Sequence, residues 1–189
     1  MFADGTSILF AHLNTTELNS NTSTFFETIK IWLKNRYPKL NFEKNHCIDF
    51  KTGNNPATDT NIGYNNKLIL NVLSTKFLGL TIDNMLPWRI HVDQLTTKLS
   101  TACHVIRSIK LFMSHKTLRL IYHFLFHTVM SYRIILWRSS CHSIQIFQMQ
   151  KRVIRIIKEC GNRDYCRILL KKLTVLLFMS QYVLSLFVL

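Results

Sequence analysis

From Trp88 onward the apolar residues fall at helical spacing, with Trp88, Val92, Leu95, Leu99, Ala102, Ile106 and Ile109 tracing one stripe directly after Pro87. A stripe this regular has to be buried against other elements, so the second half of the chain is a problem in helix packing. Ser114 stands where it can cap a second helix through Leu118, Tyr122, Leu125 and Val129. A third helix is predicted from about Ser143 to Lys158. Ile144, Phe147, Val153, Ile154 and Ile157 form its inner face, and Lys151, Arg155 and Lys158 recur on another.

The first half reads differently. Phe2 to Leu13 has a strand, turn, strand pattern about Asp4-Gly5, a pair that tolerates positive φ. The Asn/Thr-rich stretch from Asn14 to Thr24 is a loop by composition. Thr22 or a neighbour then caps a helix carrying Phe25, Phe26, Ile29, Trp32 and Leu33, which Tyr37-Pro38 ends. Short strands are predicted at His46 to Phe50, Ile62 to Tyr64, Lys67 to Val72 and Lys76 to Ile82, parted by Gly53-Asn54-Asn55-Pro56 and Asn65-Asn66. The expected fold is α+β, with a hairpin, antiparallel strands and one helix in residues 1–83 and an all-helical bundle in residues 84–189.

Charge follows the same division. Residues 1–83 carry 8 Lys+Arg against 7 Asp+Glu, a net of +1, whereas residues 84–189 carry 16 against 3, a net of +13. An imbalance of this kind favours a polyanionic partner for the helical part, nucleic acid first and an acidic membrane surface second. The five cysteines are odd in number and scattered, and no secretory signal opens the chain. A reducing intracellular compartment, nucleus or cytoplasm, is therefore expected. The apolar segment from Leu173 to Leu189 is interrupted by Ser180, Gln181 and Ser185 and falls short of the roughly 20 residues of a membrane span. It reads as a buried or partner-seeking helix. His123 and His127 have the i, i+4 spacing of a zinc pair, but Phe124 stands where a metalloprotease needs its glutamate, and core or partly exposed histidines are the better reading. Cys160, Cys166 and His142 lack zinc-knuckle spacing.

Several short motifs occur in a telling order. Phe2-Ala3-Asp4-Gly5 resembles the Phe/Tyr-Ala-Asp-Asp hairpin of reverse transcriptases, with Gly5 in place of the second aspartate. Leu40-Asn41-Phe42-Glu43-Lys44 with Ile48-Asp49-Phe50 resembles the element that follows that hairpin, and Lys76-Phe77-Leu78-Gly79-Leu80-Thr81-Ile82-Asp83 resembles the hairpin that grips the primer end. Trp88, His91, Leu95, Lys98-Leu99-Ser100, Ile106-Arg107, Tyr132, Trp137 and Gln150-Lys151-Arg152 with Arg155 are similar to the helical thumb of jockey-type elements. Together they cover residues 1–185, approximately, and resemble the RNA-directed DNA polymerase of non-LTR retrotransposons.

The resemblance implies a partial palm in residues 1–83 and a basic thumb in residues 84–189. In it Asp4 would be the catalytic Mg²⁺ ligand, Lys44 would lie near the incoming nucleotide, and Phe77, Leu78 and Gly79 would form the primer grip. Arg107, Lys151, Arg152 and Arg155 would follow the backbone of a primer-template. Polymerases of this kind use two metal ions held by carboxylates. Gly5 cannot supply one, and the strand bearing the partner aspartate would precede Met1, so the expectation is an inactive C-terminal fragment without productively bound Mg²⁺. Arg133 and Arg138 also stand where the family commonly has glycine, and the proline often found near Leu176-Leu177 is missing. Such a fragment would expose a sheet edge and self-associate. The alternative is a non-enzymatic basic helical protein that binds an acidic membrane surface or a protein partner.

Overall fold

The computed structural model describes residues 7–11, 14–36, 45–50, 63–64, 67–161 and 166–188. The chain divides into two compact units, Met1–Lys76 and Phe77–Leu189. In the first, helix α1 (Thr15–Arg36) begins inside the Asn/Thr-rich stretch that composition assigns to a loop. Asn14 supplies the reason, because its Oδ1 accepts the backbone N–H of Thr16 at 3.1 Å and caps the helix. The hydroxyls of Thr22, Ser23, Thr24 and Thr28 donate to carbonyls four residues back, so groups that compete with helix elsewhere are satisfied within it.

The strand expected to reach Leu13 is not present over residues 7–11. Phe10 instead meets α1, its ring edge-on to Phe25 with centroids 5.3 Å apart. The Asp4-Gly5 turn lies outside the described residues, as does Lys44. Short strands follow: β1 (His46–Cys47), β2 (Gly63–Tyr64), β3 (Lys67–Leu68) and β4 (Leu70–Asn71). β2 and β3 are antiparallel, with Gly63 opposite Leu68 and Tyr64 opposite Lys67. β1 and β4 pair in parallel, not antiparallel as expected. Parallel partners need a long connection, which the separation of Cys47 from Leu70 provides.

The run from Lys76 to Ile82 is not one strand but a hairpin of β5 (Ser74–Phe77) and β6 (Leu80–Asp83). Its two central residues, Leu78 and Gly79, have φ of 47° and 79°. Positive φ at both positions is the turn that matches strand twist, and leucine adopts it only against strain. Tyr132 offsets that strain by donating its hydroxyl to the Leu78 carbonyl at 2.7 Å. The same ring leaves little space at Gly79, where a Cβ would sit 3.3 Å from Tyr132 Cε1. Leu80, Thr81 and Asp83 are buried.

Helix α2 (Arg89–Ile109) buries Val92, Leu95, Leu99, Ala102 and Ile106, the stripe read from the sequence. α3 (His115–Ile121) is capped by Ser114, whose Oγ accepts from Thr117 N at 3.2 Å. It continues into a π-helical segment, Tyr122–His127, where Thr128 N–H donates to the carbonyl of His123 five residues back, and then into α4 (Thr128–Ser131). The wider π turn aligns residues four apart. Leu118, Tyr122, Phe126 and Met130 are consequently buried, and Leu125 and Val129 lie half-buried beside them. After α5 (Ile134–Trp137), a 3₁₀ turn at Cys141–Ser143 leads into α6 (Ile144–Lys158). That entry points Ser143 and Ile146 inward and leaves Ile144, expected inside, 59% exposed. α7 (Cys166–Leu173) and α8 (Phe178–Phe187) complete the unit. Among the described residues no helix is long and apolar enough to cross a membrane.

The core lies between α2 and α6 and is closed by α8 through one polar side chain. Gln150 is fully buried. Its Nε2 donates to Tyr122 Oη at 3.1 Å and to the Leu176 carbonyl at 2.8 Å, and its Oε1 accepts from Phe178 N at 2.8 Å. Gln150→Leu strands those partners and should cost about 2–4 kcal/mol in urea unfolding, since each buried polar group left unpaired costs about 1–3 kcal/mol. Arg133 has φ 48°, so Arg133→Gly should instead raise stability by up to about 1 kcal/mol in the same measurement.

Candidate nucleic-acid interface

The last turn of α2 and the second half of α6 run beside each other above the apolar seam. Ile106 is buried, so Arg107 projects at the edge of that seam; Val153 and Ile154 are buried, so Arg152 and Arg155 flank it from the other side. The result is an open cleft of about 950 Å³, lined by Arg107, Lys110, Arg152 and Arg155, with Leu111, Ile156 and Cys160 and, among the described residues, a single carboxylate, Glu159. Three of the four residues that the resemblance groups along a nucleic-acid backbone, Arg107, Arg152 and Arg155, thus line one cavity.

Four cations around one cavity repel one another, and an anion bound among them would relieve that repulsion. The local carboxylate compensates only in part, with Lys110 Nζ 3.8 Å from Glu159 Oε1. Arg155 Nε is buried without a hydrogen-bond partner. Arginine forks suit phosphate because two N–H donors match two oxygens. Cys103, buried on α2, has its thiol pushed up to about 11, chiefly by burial and only partly countered by Arg152 and Arg107.

Lys151 does not join them. Its Nζ lies 4.0 Å from the centroid of the Phe147 ring, a cation–π contact away from the cleft lining. Arg152, Arg155 and, just past the end of α6, Glu159 are spaced i, i+3 and i+7 and share the cleft face, whereas Lys151, four residues before Arg155, is turned toward Phe147. Lys110 and Glu159 were missed in the sequence. The i, i+3 relation of Lys110 to Arg107 was the available signal, while Glu159 ends α6 at φ 57°, a turn the helical pattern does not announce.

Phe77 and Leu78 are exposed at the β5–β6 turn, where Gly79 permits the close approach of Tyr132. Among the described residues no group of three or more His, Cys, Asp or Glu could hold a metal ion. His123 and His127 lie with ring centroids 5.2 Å apart, and His127 Nε2 is 3.3 Å from Gln181 Oε1. Burial, then His127 and Arg119, holds His123 below the usual imidazole range.

A second buried set lies at the start of α2. His91 accepts the Thr81 N–H at its Nδ1, at 3.3 Å, between the rings of Trp88 and Trp137. Burial, with Lys98 adding to it, lowers its pKa below 6.5. Asp83 has its carboxyl raised by burial, partly offset by the Ile90 N–H. Compared with family models, curated proteins and solved structures, the chain matches none.

Two outcomes follow from these environments. The unfolded chain protonates His91 near pH 6.5 and the folded one only lower, so this contribution to stability is complete above 6.5 and is lost as pH falls below it. Asp83 acts in the opposite sense, stabilising the fold below its unfolded value of 3.8 and losing that contribution as pH rises through its raised value. The melting temperature should accordingly fall from pH 7 to 5, and less so in His91→Gln. In timed alkylation of the native protein at pH 8, exposed Cys141 should react well before buried Cys103.

Proposed function

We propose that this chain is a non-polymerising counterpart of the reverse transcriptases of non-LTR, jockey-like retrotransposons, retaining nucleic-acid binding in its basic helical unit. The observation that carries the reading is the convergence of Arg107, Arg152 and Arg155, with Lys110, on one cleft. Arginines and lysines so placed bind phosphate without reading sequence, which suits a surface that must hold any primer-template. Arg133 adds support, since its φ of 48° is the conformation expected where the family carries glycine. The β5–β6 hairpin with Phe77, Leu78 and Gly79 at its turn has the form a primer grip would need.

Catalysis is a separate matter. Two Mg²⁺ ions need several carboxylate oxygens, and Gly5 beside Asp4 offers none. The protein should not extend a primer with Mg²⁺ or Mn²⁺, and Gly5→Asp alone should not restore extension; incorporation abolished by Asp4→Ala would refute this. Exposed Leu70 and Leu73 beside β4 also fit self-association at a sheet edge, to be read by sedimentation velocity.

Binding is tested by anisotropy with a labelled primer-template across a salt series. Replacing Arg107, Arg152 and Arg155 by Gln should weaken binding for all sequences alike and flatten the plot of log K against log salt by roughly 0.9 for each phosphate no longer neutralised. Lys151→Gln should change little. An unchanged slope in the triple variant removes the nucleic-acid reading. Capture on anionic vesicles that survives high salt would favour the membrane alternative, toward which exposed Leu111, Phe112 and Phe187 would contribute.

A further inference from the structure

We infer that Glu159 is an internal competitor for the basic cleft, occupying with its carboxylate the position that a phosphodiester oxyanion of a bound strand takes over. The inference rests on the nucleic-acid reading above and concerns the regulation of the same site. Among the described residues Glu159 is the one acidic side chain lining the cleft that Arg107, Lys110, Arg152 and Arg155 border. It reaches Lys110 Nζ at 3.8 Å, while Arg155 Nε remains buried and unpaired in the same lining. The cations are thus incompletely neutralised, and the carboxylate that is present engages the amine and not the arginines.

Its backbone makes the placement specific. Glu159 terminates α6 in the left-handed region, φ 57°, where glycine or asparagine is the ordinary occupant. A glutamate there is strained, so no helix-ending preference accounts for the residue type. What the side chain contributes is negative charge at the cleft. Its pair with Lys110 is half exposed, Glu159 at 57% and Lys110 at 28%, and exposed pairs of this kind are weak enough for an incoming phosphate to displace. An oxyanion entering the cleft exchanges with Glu159 for Lys110 and finds the arginine donors still free to fork onto it. The carboxylate then swings to solvent. Glu159 would thereby set a threshold that weakly held or single anions fail to cross and a strand presenting several phosphates does.

The test uses the full chain with a labelled single-stranded oligonucleotide, the matching duplex and inorganic pyrophosphate as separate probes at low salt. Glu159→Gln should tighten strand binding roughly two- to fivefold, the change expected when one exposed opposing charge is removed. Glu159→Gly should tighten it similarly and, by relieving the left-handed strain, unfold at a higher temperature. Glu27→Gln, which makes the same change in net charge in the other unit, should leave affinity unchanged. Equal gains from Glu27→Gln and Glu159→Gln, or no gain in either Glu159 variant, overturn the proposal. If the wild-type chain binds neither strand nor duplex but Glu159→Gln tightens pyrophosphate, the competitor role stands and the nucleic-acid reading fails. If oligonucleotide binding is strong and salt-dependent yet indifferent to Glu159, the reverse holds.

Discussion

The apolar seam between α2 and α6 is the contact on which the helical unit depends. Val92, Leu99 and Ile106 from one helix and Val153, Ile154 and Ile157 from the other are almost wholly removed from water. Burying an aliphatic side chain is worth about 1.5–3 kcal/mol, so this seam alone outweighs any surface charge term in the unit. Its geometry also decides where charge can go. Residues next to a buried position on a helix emerge at the margin of the seam, and at this margin both helices carry arginine. The basic cleft is therefore a by-product of packing direction: strong apolar burial holds like charges closer than they would settle by themselves.

A second consequence of the seam concerns the chain's polar interior. Gln150 stands on the inner face of α6 among aliphatic neighbours, where an apolar residue would pack without difficulty. It is tolerated because Tyr122, Leu176 and Phe178 engage both of its N–H donors and its carbonyl oxygen. Arg138 reinforces the same docking from outside, stacking over Phe178 and Tyr182 and donating to Met179 Sδ. The C-terminal segment, which in sequence looks like an aborted membrane span, is held by these directed interactions at its first turn. Beyond it Val183, Leu184, Leu186 and Phe187 remain exposed.

How much of this was legible depended on periodicity. The α2 stripe from Val92 to Ile106 was read correctly because burial on one helix face leaves a 3.6-residue signature that survives without knowledge of the partner. The Ser114 cap was legible for a similar reason, as its chemistry is local. α1 was misread across Asn14 to Thr24 because composition counts hydroxyls and amides as loop formers, whereas four hydroxyls along this helix bond back to it. The inner face of α6 was shifted by the 3₁₀ turn at its start, which displaced Ile144 from the core. In the cleft, Arg107, Arg152 and Arg155 were named through the resemblance to a basic thumb, and Arg155 also as part of a charged row on its helix. Lys151, grouped with them, lies on the Phe147 ring outside the cleft lining, since a charge run says nothing about which side chains face the neighbouring helix. Parallel pairing of β1 with β4 was invisible because it joins residues far apart in sequence.

The π-helical segment at Tyr122–His127 bears on how such a chain can change over time. Each π turn accommodates a residue beyond what an α turn holds, and deleting one residue would return the segment to α geometry. Because the extra residue is taken up within the segment, the helix beyond would keep its orientation, and Phe126 and Met130, now four and eight positions after Tyr122, would fall three and seven after it on the same buried face. Between the Ser114 cap and the left-handed turn at Arg133, one residue can therefore be lost at this segment without turning the core side chains out. Leu120 and Phe124 on the outer face are likewise free to vary. Along this helix, neutral drift has room in residue identity and, at the π segment, in length as well.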